Sequence, residues 1–206
     1  MSEITFVPAE FTLVKFDAAE LRDLAEAARR DTGLPDDVDL TIEIDEVLPH
    51  PLTASAVDVG DGAVRLWFAG GCFENPQKTA GLSTENTKVE LASSMFRAKD
   101  RLTGGFESAP ADAELDERRR ALWDTYAEAR AAALGYPVRV QRRRYVFRLY
   151  GGFNDVADAE FERLWAGGEL DWAGLDEAAE RLAAADTRPE RKKSIRRESL
   201  RQAAAS

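Results

Sequence analysis

The chain has one cysteine, Cys72, and one histidine, His50. A single cysteine excludes a disulfide within the chain, and nothing suggests an oxidising compartment. A single histidine excludes a His-rich metal site. No apolar run approaches the ~18 residues that a membrane-spanning helix needs. The opening stretch MSEITFVPAEF lacks a basic n-region and an apolar h-region, so no secretory leader is expected. Together these absences read as a cytoplasmic protein. Complete catalytic motifs are absent too. The glycine pairs Gly70-Gly71 and Gly151-Gly152 form neither G-x-G-x-x-G nor G-x-x-x-x-G-K-[ST], so nucleotide binding has no motif behind it. No catalytic residue, metal ligand or cofactor is assigned from the sequence.

What is present is charge, unevenly placed. The formal net charge is -10 over 206 residues. Residues 137–150, PVRVQRRRYVFRLY, hold five Arg and no acid, and residues 187–206 hold seven basic residues and two acidic ones. These stretches carry +10, which leaves -20 on the other 172 residues. A basic strip on an acidic body either folds back on that body or meets an anionic partner. The acidic balance argues against the whole surface binding nucleic acid. The 44% hydrophobic content supports a real core, and the length suits one domain plus an extension. Heavy Ala, Arg and Asp use with few Lys suggests a GC-rich bacterial genome.

Periodicity orders the elements. Asp17-Ala-Ala-Glu20 resembles a capping box, and Leu21, Leu24, Ala25 and Ala28 follow at helical spacing until Gly33 and Pro35. In VDLTIEIDEV, Leu40, Ile42 and Ile44 alternate with Thr41, Glu43 and Asp45, the pattern of a half-buried strand. LTASAVDV, the Gly60–Gly62 turn and AVRLWFAG read as a hairpin. A helix is predicted from Ser83 or Thr84 to Thr103, with a broad apolar face of Val89, Ala92 and Phe96 joined by Leu91, Met95 and Leu102. Leu115, Leu122, Tyr126, Ala129 and Ala133 mark the next helix. Two more are capped by Asn154 or Asp155 and by Asp171. The fold class is therefore α+β. It has a small three-stranded antiparallel sheet over about 38–69 and a helical C-terminal half. One domain is expected over 1–186, with the sheet in about 1–103 and helices in about 104–186. Residues 187–206 are expected as a basic, disordered tail.

Each candidate for chemistry has a plainer alternative. His50 lies in Leu48-Pro49-His50-Pro51 and reads as a turn histidine, and Cys72 as a buried cysteine. A Cys72–His50 nucleophilic pair would need the two loops to meet. Glu43, Asp45 and Glu46 read as the solvated polar face of a sheet. Asp58-Val59-Gly60-Asp61-Gly62 is a hairpin turn rather than a calcium loop, because the full ligand spacing is missing. The Gly151–Asp155 turn offers helix amides to an anion, but Asp155 competes for them.

The basic segment 138–150 reads as an extended strand from its Val, Tyr and Phe content. Arg interleaved with Tyr and Phe suits a single-stranded nucleic-acid platform, because bases stack on aromatics while Arg meets phosphate. The first reading of the segment is nonetheless internal pairing, with Arg lying on the body's surplus carboxylates and the aromatics in the core, ahead of a protein partner or nucleic acid. The candidate partner-binding residues are Arg139, Arg142, Arg143, Arg144, Tyr145 and Arg148. In the tail they are Lys192, Lys193, Arg196 and Arg197.

Two resemblances accompany these readings. The stretch GYPVRVQRRRYVFRLYGGFNDVADAEFERLW resembles a family of uncharacterised bacterial proteins from high-GC Gram-positives. That resemblance carries over no activity and no site residue. The α-β-β-β-α order over about 15–103 resembles the minimal zincin metallopeptidases, whose helix after the sheet carries H-E-x-x-H. The aligned stretch here is Val89-Glu90-Leu91-Ala92-Ser93, where the Glu matches and neither His does. The resemblance implies a zincin-like scaffold without zinc, while Glu90 on its own reads as a solvated helix residue.

The leading expectation is a non-enzymatic interaction protein that uses the Arg/aromatic segment and the tail against an acidic protein surface or a second copy. A degenerate zincin-like hydrolase scaffold and a nucleic-acid accessory protein are the alternatives. No membrane partner is expected.

Overall fold

The computed structural model describes residues 2–103 and 105–188. Lys192, Lys193, Arg196 and Arg197 lie outside the described residues. Among those described, twelve elements follow one another. They are β1 (Ile4–Val7), α1 (Ala18–Thr32), β2 (Asp39–Asp45), β3 (Ser55–Gly60), β4 (Ala63–Ala69), β5 (Glu74–Asn75), β6 (Lys78–Leu82), α2 (Thr84–Thr103), α3 (Glu117–Ala133), α4 (Val140–Gly151), α5 (Asp155–Trp165) and α6 (Trp172–Ala185). A short 3-10 turn, Gly70–Cys72, separates β4 from β5. No helix of the described residues is long and apolar enough to cross a membrane.

The main sheet is four-stranded and mixed, in the order β1-β2-β4-β3. This corrects the three-stranded antiparallel sheet. β1 and β2 pair in parallel, as do β2 and β4, and only β3 and β4 are antiparallel. The alternating strand and the hairpin are where periodicity puts them. Pairing direction is a different matter, since it depends on where the 46–54 connection leaves the chain. That connection carries β3 past β2, so β4 returns into the gap between them. β1 is too short for a periodicity signal, and its register against β2 runs from Ile4–Leu40 to Val7–Glu43. The β3–β4 turn has positive φ at both Asp61 (50°) and Gly62 (79°), the twist that favours Asp-Gly in two-residue hairpins.

The caps act as anticipated. Asp17 accepts from the Ala19 and Glu20 amides, Asn154 from Ala157 and Asp171 from Gly174. Gly33, at φ 67°, closes α1 in the left-handed conformation. Arg29, buried at the end of α1, donates to the carbonyls of Ser2, Pro35 and Val38 and so ties the helix to the strand entrances.

Two hydrophobic cores result. The first joins Leu40, Ile42, Ile44, Leu66 and Phe68 of the sheet to Leu21 and Ala25 of α1 and to Leu91, Ala92 and Met95 of α2. The second gathers Phe106, Leu122, Trp123, Phe147, Phe161, Leu175 and Leu182 among α3–α6. Helix α3 serves both, giving Ala127 and Ala131 to the first and Leu122, Trp123 and Tyr126 to the second.

The basic segment is a helix, not the expected strand. Its β-forming residues are outvoted by tertiary context, and Arg is itself a good helix former. Helical spacing puts Phe147 and Gly151 together in the second core. Gly151 makes a close approach there, since a Cβ would stand 3.3 Å from both Leu182 and Phe147. The same geometry sends three arginines to three acids. Arg143 pairs with Glu128 of α3, while Arg144 and Arg148 pair with Glu162 and Asp158 of α5.

Candidate functional site

The seam between the two cores holds a cleft of about 530 Å3. One wall is β3, with Ser55, Ala56 and Asp58, beside Cys72 of the 3-10 turn. Opposite stand α3 and α4, with Asp124, Glu128, Arg142 and Val146. Glu90 of α2 forms the floor, and Arg139, just before α4, stands at the rim. A smaller pocket of about 30 Å3 shares Glu90, Asp124, Glu128 and Arg143 and reaches Ser93 and Arg97. It is polar and roomy enough for an ordered water.

The rim depends on Gly71. A Cβ there would lie 2.2 Å from the Leu52 carbonyl oxygen and 2.6 Å from the His50 nitrogen. Only glycine lets the 48–52 connection lie against the turn, where the Gly71 amide donates to Leu48 at 2.9 Å. The exposed His50 and the buried Cys72 thereby line one cleft. The Cys72 thiol donates to the Ala54 carbonyl at 3.2 Å. Burial, reinforced by Glu90, pushes that thiol well above its usual range, so it stays protonated. The cysteine, in its thiol form, is part of the cleft wall.

Buried charges hold the cleft open. Asp112 receives Arg97 at 2.6 Å, Arg101 at 2.8 Å and Arg120 at 3.0 Å, and it accepts the Val57 amide of β3 at 2.9 Å. Burial alone would raise its pKa. The guanidiniums of Arg97, Arg120 and Arg101 overcome that and hold it far below the usual carboxylate range. Arg97 also reaches Asp124 at 3.4 Å, and Arg143 lies between Glu128 and Asp124. These pairs join β3, α2, α3 and α4 around the cavity.

Glu90 is the exception. It is partly buried and makes no hydrogen bond or ion pair with any described residue. Burial raises its carboxyl to about 7, helped by Glu128 and Asp124 and opposed by Arg143 and Arg142. A group that changes charge near neutrality, on the floor of a cleft, fits a ligand-contacting role. This corrects the solvated-helix expectation for Glu90.

The other sequence candidates divide. Arg139 and Arg142 are exposed, line the cleft and pair with no described acid. Arg143 is partly buried in the network. Arg144 pairs with Glu162 and lies 4.6 Å over the Phe161 ring, and Arg148 grips Asp158 with two bonds of 2.6 Å. Tyr145 is 57% exposed, edge-on to Phe153 at 6.2 Å. Glu43, Asp45 and Glu46 have local duties: Arg65, the Val47 amide, and the Thr12 and Leu13 amides respectively. Among the described residues no three His, Cys, Asp or Glu side chains converge to hold a metal.

Asp112, Asp124 and Glu128 were missed in the sequence. A signal did exist in α2, where Glu90, Ser93, Ser94, Arg97 and Asp100 form a polar stripe at helical spacing on a helix that must be buried. Comparison of the chain with models of known protein families, with curated proteins and with solved structures finds no match.

Proposed function

We propose that this protein binds a small molecule in the cleft between its two cores. The supporting observation is the cleft itself. At about 530 Å3 it has the size of a small-molecule site, and it combines aliphatic wall with a few unpartnered charged groups. A merely structural seam would be filled by apolar side chains or would pair every charge. A thermal-shift screen of metabolites tests the reading. At a hundred times its Kd a ligand stabilises by about 2.7 kcal/mol, worth about 5–10 °C in a chain this size. The shift is expected to vanish in Val146→Trp and Ala113→Trp, which add bulk at two lining positions, one in α4 and one in the connection between α2 and α3. Equal shifts in the filled variants and the wild type would remove the proposal.

A second reading keeps the interaction protein, with the partner a second copy or an acidic surface. Its support is the exposed pair Tyr145 and Phe153 (55% exposed) with Arg142 on the same helix. The internal pairing of Arg143, Arg144 and Arg148 leaves this surface less charge than the sequence suggests. Light scattering across a concentration series, comparing wild type with Tyr145→Asp, tests the self-association form. A constant monomer mass for both would remove it.

A further inference from the structure

We propose that the cleft recognises a small zwitterion, of amino-acid or short-peptide size, with its ammonium on Glu90 and its carboxylate on Arg139 and Arg142. This inference rests on the cleft being a binding site. The charges around the cleft are mostly satisfied in pairs: Arg65 with Glu43, Arg143 with Glu128, and Asp112 with its three arginines. What remains without a described partner is segregated. Two guanidiniums, Arg139 and Arg142, stand where α4 begins; of the two carboxyls, Asp58 is exposed on β3, while Glu90 is partly buried on α2, close enough to Arg142 to feel its charge.

A plain anion fits only the α4 side, because Glu90, Asp124 and Glu128 together repel a negative group at the floor. A plain cation can meet Glu90 or Asp58 but leaves Arg139 and Arg142 without a counter-charge. A molecule with both charges satisfies both ends. Its aliphatic part would run along Val89, Val146 and Ala56. Guanidinium is suited to carboxylate through paired N–H donors, and an ammonium matches a carboxylate with no other donor.

The groups facing Glu90 come from every neighbouring element. They are Glu128 and Asp124 of α3, Arg142 and Arg143 of α4, Ser55 and, further out, Asp58 of β3, Cys72 of the 3-10 turn, and Arg97 and Ser93 on α2 itself. Ionised Glu90 is the form that holds an ammonium, and its carboxyl titrates at about 7. An α-amino group stays protonated below about 7.7. Affinity should therefore fall roughly tenfold between pH 7.5 and 5.5 in wild type, and stay flat in Glu90→Gln.

The experiment uses the full chain. Pooled free amino acids and dipeptides are screened by saturation-transfer NMR, and hits are titrated by calorimetry. Each hit is compared with its N-acetylated and C-amidated forms. N-acetylation is expected to weaken binding at least tenfold in wild type and much less in Glu90→Gln. C-amidation should do the same in wild type and much less in Arg139→Gln/Arg142→Gln. Both arginines are exposed and unpaired, so that variant keeps its fold. If no zwitterion binds while neutral or purely anionic compounds bind in a Val146→Trp-sensitive manner, the ligand class is wrong and the cleft stands. If compounds of every charge bind wild type and both cleft-filled variants alike, or bind neither, the site reading itself fails.

Discussion

At Glu90 a single carboxyl records its surroundings in its proton affinity. Folded, it titrates at about 7, against 4.5 when unperturbed, and the largest cause is burial. Between those values the folded state holds more protons than the unfolded one. Stability therefore falls as pH rises from about 4.5 to 7, and the whole penalty is present above 7. Glu90→Gln is neutral at every pH. It is expected to be more stable than wild type by about 1–2 kcal/mol at pH 8, a figure reduced for partial exposure. It should equal wild type at pH 4.5. Urea unfolding at the two pH values measures the difference, and no gain at pH 8 would mean that Glu90 is well solvated.

Among elements, Asp112 is the joint. It lies in the connection between α2 and α3, and it binds two arginines of α2, one of α3 and the β3 backbone. Asp112→Ala leaves Arg97, which is 1% exposed, without its closest counter-charge. Breaking such a pair from one side costs about 3–5 kcal/mol. That loss is expected in urea unfolding at pH 7, and a cost under about 1 kcal/mol would contradict the network. Asp112's depressed pKa adds stability that is present above about pH 4 and is lost as pH falls through its folded value. Helix α4 gives the lesson about legibility. Its Arg-rich composition called for anionic groups, either on the acidic body or on a partner, and Val, Tyr and Phe pointed to a strand. The helix became favourable only once Phe147 and Gly151 had α5 and α6 to pack against. In α2, by contrast, caps and apolar spacing placed the helix correctly, and its polar stripe went unread.

For the whole molecule, the consequence of two cores sharing α3 is cooperativity. Trp67 belongs to the first core, while Trp123 sits in the second with Trp165 and Trp172 packed against it. In Trp67→Phe, tryptophan fluorescence reports on the second core alone. Its urea transition is expected to coincide with the far-UV circular dichroism transition of the whole chain. Separate transitions would show that the halves fold independently and that α3 does not couple them.

The sequence by itself determined the class of the protein: α+β elements, their caps, the β3–β4 turn and an acidic body with basic strips. Those features depend on residues near each other in the chain, where propensity, capping and periodicity act. Only the tertiary structure decided the mixed sheet order, the helical state of 140–151 and the meeting of Glu90, Asp124, Glu128 and Arg142 around one cavity. Strand direction depends on the path of a connection, and a cleft depends on how two separately formed cores meet. Neither leaves a periodic trace in the chain.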